Sequence, residues 1–283
     1  MQQIFQGFTL LLLGLLVPCF CLTQSEHLSV MSFNIRYDNP DDEPNDWASR
    51  KPHVANLILK HRPLAVGIQE ALFNQKEYLD AQLIGYQSFG VGRDDGQNAG
   101  EFSCIYVDTT RVSVLKDGTF WLSSTPGVPS KAWDAALNRI CTYVYVKDKS
   151  NKSQFHIYNT HFDHQGIEAR NKSAELIANT IENNLQVDTD IIILMGDFND
   201  EPYAQSIIRI KQLLNDPLDS ESIDFSGPVG TYNGFDNSRS IDERIDYIFY
   251  RNVKAVRHSH ILDRREGHGF ISDHLPVKLS FSL

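Results

Sequence analysis

The chain is 283 residues long and acidic, with 26 Lys and Arg against 36 Asp and Glu and a formal net charge of −10. No Lys/Arg cluster offsets that balance, which counts against a protein whose affinity comes from neutralising a long phosphate backbone and releasing its counterions. The length, with no repeat, low-complexity tract or linker, fits one α/β domain with a large core.

Phe8 to Leu22 is a continuous apolar segment followed at once by polar Thr23-Gln24-Ser25-Glu26. That is the length of a signal-peptide core and short for a membrane span. The expectation is a signal peptide over residues 1–23 and a single domain over 24–283. The protein is then exported, periplasmic or extracellular, with no transmembrane span after cleavage. Lipoprotein anchoring through Cys19 or Cys21 is the alternative, although Pro18 before Cys19 fits that processing poorly. Cleavage near Thr23 leaves Cys104 and Cys141, both on predicted core strands, where a free thiol behaves as a small hydrophobe and a disulfide is permitted. Asn151-Lys-Ser153 and Asn171-Lys-Ser173 match the glycosylation acceptor pattern.

Leu28 to Arg36 alternates as a strand and closes on Asn34. Asp38 to Asp46 reads as an exposed loop. Apolar residues at Val54, Leu57 and Ile58 predict a helix capped by Asp46 or Ser49, with Pro52 in its opening turn. Leu64-Ala-Val-Gly-Ile-Gln69-Glu70 is a short apolar strand ending in an acid. From Tyr86 to Val146 only strands are predicted, over Phe102 to Val107, Val112 to Leu122 and Ile140 to Val146. Phe155 to Asn159-Thr160-His161 is a strand that delivers an imidazole. Helical spacing returns at Leu176-Ile177-Thr180-Ile181 and at Ile207-Ile210-Leu213-Leu214. Between these helices, Ile191 to Met195 is an aliphatic strand ending in Gly196-Asp197-Phe198-Asn199-Asp200. Asp216 to Tyr232 and the basic stretch Arg257 to Arg265 read as surface loops. Arg244-Ile-Asp246 and Ser272-Asp273-His274 each open a strand with ionisable groups.

Buried strands hold the residues at their ends rigidly, and in α/β proteins the crevice beyond the strand ends is where ligands bind. Carboxylates and amide oxygens gathered there suit a hard cation such as Mg²⁺. The ordered blocks Asn34, Gln69-Glu70, Asn159-Thr160-His161, Gly196-Asp197-Phe-Asn199, Arg244-Ile-Asp246-Tyr and Ser272-Asp273-His274 together resemble the endonuclease/exonuclease/phosphatase superfamily, across nearly the whole chain after the first two dozen residues. The segments Gly92-Arg-Asp-Asp-Gly96, Gly118-Thr-Phe-Trp-Leu-Ser123 and Asn159-Thr-His-Phe-Asp-His164 look most like secreted bacterial members.

The resemblance implies a four-layer α/β sandwich, with two packed mixed β-sheets flanked by helices. It also implies a metal-dependent hydrolase of phosphoester bonds, a phosphodiesterase or phosphatase acting on a small phosphorylated compound or lipid headgroup. A secreted nuclease is the second reading, disfavoured by net charge, and a non-catalytic binding module the third. The implied metal set is Glu70, Asn34 and Asp273, holding Mg²⁺ with Mn²⁺ as the other candidate. The implied catalytic set is His161, Asp197, Asn199, Asp246 and His274, with Asp246 orienting His274. Asp197 and the Asp246-His274 pair are both open as the general base. Arg139 is expected either to reach a substrate phosphate or to close a strand-end salt bridge. Tyr232 and Phe235 are expected to pack in the core rather than stack on substrate. The substrate is the one partner inferred.

Overall fold

The structure is a computed structural model describing residues 27–185, 190–267 and 269–283. The expected leader lies outside these residues. In chain order the elements are β1 (Leu28–Asn34), α1 (Trp47–His61), β2 (Ala65–Gln69), α2 (Phe73–Gln82), β3 (Tyr86–Phe89), β4 (Ile105–Asp108) and β5 (Val112–Trp121). They continue as β6 (Ile140–Asp148), β7 (Gln154–His161), α3 (Ile167–Asn184), β8 (Ile191–Asp197), α4 (Gln205–Lys211) and β9 (Asp224–Ser226). The last are β10 (Asp246–Arg251), β11 (Lys254–His260), β12 (Arg264–Arg265), β13 (Gly269–Phe270) and β14 (Val277–Ser282).

The strands form a seven-stranded mixed sheet, ordered β3-β4-β2-β1-β14-β11-β9, and a five-stranded mixed sheet, ordered β10-β8-β7-β6-β5. Their inner faces meet through Val30, Ile105, Val144, Phe155, Ile157, Ile193 and Leu279. Burying a side chain of this size contributes about 1.5–3 kcal/mol, so this layer holds the two sheets together. Val54, Leu57 and Ile58 of α1 and Leu79 of α2 cover the outer face of the larger sheet. Ile177 and Ile181 of α3 and Ile207 and Ile210 of α4 cover the smaller one. This is the expected four-layer sandwich.

One polar strut crosses the inner layer. The buried Asn159 amide donates to the carbonyls of Ile68 and Cys104, both at 2.9 Å, and accepts from Gln69 Nε2 at 2.6 Å. Every one of those contacts joins one sheet to the other, and the pairing removes the cost of a buried amide. Gly67 makes room for it, since a Cβ there would lie 2.5 Å from Asn159 Oδ1. Asn159 and Gln69 of the motif blocks are thus structural, registering the two sheets.

Local differences from the sequence reading have physical causes. Asp46 is the α1 cap, accepting from Ser49 N at 3.2 Å, so the helix starts at Trp47 and Pro52 falls inside it rather than in its opening turn. Helix α2 escapes the pattern because it buries only Gln75 and Leu79 and has no apolar stripe. The 216–232 segment is more ordered than a surface loop. Pro217–Asp219 is a 3₁₀ turn, and β9 pairs in parallel with β11. The basic stretch from Arg257 is strand as far as His260, and Arg265 is buried, donating to Phe270 O. Cys104 and Cys141 are both buried, free thiols.

Candidate active site

Strand direction explains why distant residues converge. Strands β1 and β2 run parallel, as do β7 and β8, so Asn34, Glu70, His161 and Asp197 leave at carboxyl ends. Strands β14 and β10 run antiparallel to β1 and β8, so their amino ends bring His274 and Asp246 to the same edge. Two backbone features tighten the convergence. Gly196 stands where a Cβ would come within 2.1 Å of Thr160 O, so only glycine lets β8 approach β7. Glu70 and Asn199 take left-handed conformations, with φ of 65° and 49°, which turn their side chains out of the strand line.

Asp197 is the centre of the arrangement. It is 1% exposed. Its Oδ2 lies 3.6 Å from His161 Nε2 and 3.8 Å from His274 Nε2, and accepts from Asn34 Nδ2 at 2.9 Å. Each imidazole faces a second carboxylate through its other nitrogen. His274 Nδ1 is 2.8 Å from Asp246 Oδ2, and His161 Nδ1 is 3.9 Å from Glu101 Oε2. Glu101 is gripped bidentately by Arg93, at 2.8 and 2.9 Å.

The electrostatics separate the two histidines. Burial alone would lower His274, but the charges of Asp246 and Asp197 overcome it and hold the imidazole well above its ordinary value. Burial, reinforced by the Arg139 and Arg93 guanidiniums, pushes His161 the opposite way, well below its ordinary value. Asp197 is pushed up to about 7, by burial first and by Asp246 second. Asp273 is also raised, by burial and by the Glu70 charge.

Two buried acids raised in this way are what a cation would relieve, and the carboxylates of Glu70, Asp197 and Asp273 offer it hard oxygen donors. Ligand atoms of Glu70, Asp197 and His274 lie within 4.8 Å of one another. Of the expected metal set, Glu70 and Asp273 line the cleft. Asn34 is turned the other way. Its amide nitrogen donates to Glu70 and Asp197 at 2.9 Å each, and its Oδ1 accepts from Arg36 N at 3.0 Å. Asn199 caps its own turn through its backbone N–H to Asp197 Oδ1 at 2.9 Å, and its amide donates to Phe162 O at 3.0 Å.

These groups line a cleft of about 630 Å³. Arg139 lies on its wall and closes the expected strand-end salt bridge. Its Nε pairs with Asp163 at 3.2 Å, while its Nη1 is buried without a partner. Tyr232 departs from the core-packing expectation, as it is half-buried, lines the cleft and sits edge-on to His274 at 5.1 Å. Phe235 is half-buried too, against the Arg50 guanidinium. Sequence reasoning missed Arg36, Arg93, Glu101 and His164. Glu101 and Arg93 flank a turn that the Gly92-Arg-Asp-Asp-Gly96 block marks, yet nothing in that block shows that the turn folds back onto His161.

A two-sheet sandwich with acids, imidazoles and amides gathered at one edge defines a phosphoester hydrolase. The sequence profile of the endonuclease/exonuclease/phosphatase family matches residues 31–274, and the chain belongs to that family. Among solved structures, a mannosyl-6-phosphatase of Bacteroides thetaiotaomicron is 35% identical with a TM-score of 0.85, covering 90% of this chain and 100% of that one. An endonuclease/exonuclease/phosphatase of Bacteroides vulgatus is also 35% identical with a TM-score of 0.85, covering 91% and 99%. The catalytic domain of human Nocturnin, with bound sulfate, shares the fold at 21% identity and a TM-score of 0.71, covering 90% and 93%. No curated protein sequence matches the chain.

Proposed function

We propose that this hydrolase is a divalent-metal-dependent phosphatase acting on a small phosphorylated sugar. The observation that carries the phosphoryl chemistry is Asp197, a buried carboxylate of raised proton affinity set 3.6 and 3.8 Å from the imidazoles of His161 and His274. The substrate class rests on three supports. A cleft of about 630 Å³ suits a small molecule. The net charge of −10 disfavours long nucleic acid. The 35% identical mannosyl-6-phosphatase of Bacteroides thetaiotaomicron is covered over its full length.

Glu70 and Asp273, with Asn34 beside them, would hold a divalent cation such as Mg²⁺ or Mn²⁺, which would neutralise charge on the phosphoryl oxygens. Asp197, set between His161 and His274, orients the attacking water and takes its proton. The protonated His274, held by Asp246, donates from Nε2 to a non-bridging oxygen. It cannot also be the base while it carries that proton, which favours Asp197 over the Asp246-His274 pair. Asn199 has a second amide hydrogen for the phosphoryl group, and the free Nη1 of Arg139 provides a further donor. The export expected from the leader belongs to the same reading, and amino-terminal sequencing of secreted protein tests it.

The test is a hydrolysis panel of hexose 6-phosphates, p-nitrophenyl phosphate, bis-p-nitrophenyl phosphate and single-stranded DNA, each with Mg²⁺, Mn²⁺ or chelator. Metal-dependent release of phosphate from the sugar esters is expected. Faster turnover of the diester or of DNA would replace this reading with the phosphodiesterase or nuclease one.

A further inference from the structure

We infer that His164 is a specificity residue, which donates a hydrogen bond from Nε2 to a hydroxyl of a polyhydroxylated leaving group. The inference rests on the phosphatase reading above and names the part of the substrate that its leaving-group side recognises. His164 follows the β7 strand end by three residues, is exposed, and lines the same cleft as Asp197 and His274.

Its orientation is fixed from behind. Asp163 accepts from the backbone N–H of Gln165 at 3.0 Å and of Gly166 at 2.9 Å with one oxygen, and from Leu137 N and Arg139 Nε, both at 3.2 Å, with the other. Those bonds outweigh burial and hold its carboxyl far below the usual carboxylate range. It is a permanent anion. Arg139, 4% exposed, is fixed on it and presents Nη2 to His164 Nδ1 at 3.0 Å. A guanidinium has donors only, so the imidazole nitrogen facing it must accept. That assigns the tautomer, because Nδ1 is the acceptor and Nε2 carries the hydrogen. Among the described residues Nε2 has no hydrogen-bond partner, so its donor is left free on a residue that lines the cleft.

Two neighbours suit a sugar rather than a second phosphate. Leu137, 40% exposed, gives an apolar surface for a ring face. Glu101, which also lines the cleft and is held by Arg93, offers a carboxylate oxygen that can accept from a hydroxyl, itself both donor and acceptor.

The experiment compares kcat/KM for a hexose 6-phosphate with that for p-nitrophenyl phosphate, whose leaving group has no aliphatic hydroxyls. In His164→Ala the ratio between the two substrates is expected to fall about three- to tenfold, mainly through KM of the sugar ester, as for one lost hydrogen bond. His164→Gln, which can place an amide N–H near the Nε2 position, is expected to recover part of the ratio. A ratio unchanged within twofold in His164→Ala overturns the inference while leaving the phosphatase reading intact, as does an equal loss on both substrates. Wild-type protein inert towards both esters overturns the phosphatase reading and this inference with it.

Discussion

Asp246 and Asp197 face each other as register partners across the β10–β8 ladder, two buried carboxylates bridged by His274 at 2.8 Å from one and 3.8 Å from the other. Like charges opposed on neighbouring strands are unfavourable, and the imidazolium between them offsets that repulsion. The arrangement also sets two roles, because the same Asp246 charge that keeps His274 protonated pushes Asp197 toward a base.

Asp246→Asn keeps the shape but removes the charge that orients and protonates His274. The expected outcome is a loss of about 10² or more in kcat with KM changed less than threefold, in steady-state assays at pH 7. A loss below about tenfold would mean that the pair is not part of the chemistry.

Metal dependence should reside at Glu70. Chelator is expected to abolish turnover and added Mg²⁺ or Mn²⁺ to restore it. Binding to the folded state alone stabilises by about 2.7 kcal/mol at a hundredfold excess over Kd, so Mg²⁺ should raise the melting temperature of the wild type. Glu70→Ala should lose most of that rise. An undiminished rise in the variant would place the cation elsewhere.

A buried histidine pair gives a pH prediction away from the catalytic edge. His258 and His260 on β11 have Nε2 atoms 3.3 Å apart, and His260 is pushed down to about 4, by burial above all. His258 is also well below its ordinary value, through burial and the His260 charge. Folded pKa values below the unfolded value of about 6.5 mean that the unfolded state binds more protons in between. The stability these residues give is therefore complete above about 6.5 and is lost as pH falls toward 4. His260 should account for roughly 1–2 kcal/mol of destabilisation at pH 5, and His258 acts in the same direction. Urea midpoints at pH 7.5 and 5.0 should differ less in His258→Phe than in the wild type, and equal differences would refute the assignment.

Arg244 and Asp216 form a bidentate pair at 3.0 and 2.6 Å, both buried, that fastens the 216–232 segment to the start of β10. Removing one partner strands a buried charge. Asp216→Ala is expected to cost about 3–5 kcal/mol, visible as a melting temperature lower by roughly 6–20 °C. Calorimetry checks it, and a loss under 1 kcal/mol would show the pair to be solvent-relieved.

Where the sequence was legible, local patterning sufficed. Ile191 to Met195 is apolar at every position because both faces of β8 are covered, and Asp197 could be read as leaving its end. The Asp46 cap and the α3 periodicity are equally local. Helix α2 was not legible, because it buries too little to leave a stripe, and neither was β9, a three-residue edge strand whose partner lies 33 positions away at Arg257↔Asp224.

The sequence by itself determined the family, the sandwich and the identity of the strand-end groups, since each needs only residue type and order along a strand. The tertiary structure decided what those groups do to one another. Asn159 and Gln69 became inter-sheet struts, Asn34 turned its nitrogen to the acids, and Arg93 and Glu101 arrived beside His161. It also moved the proton affinities of His274 and His161 in opposite directions. The physical reason is that proton affinity and hydrogen-bond pairing depend on burial and on charges a few ångströms away, and folding brings those neighbours together from far along the chain, 163 residues apart for Asn34 and Asp197 and 238 for Asn34 and Ser272.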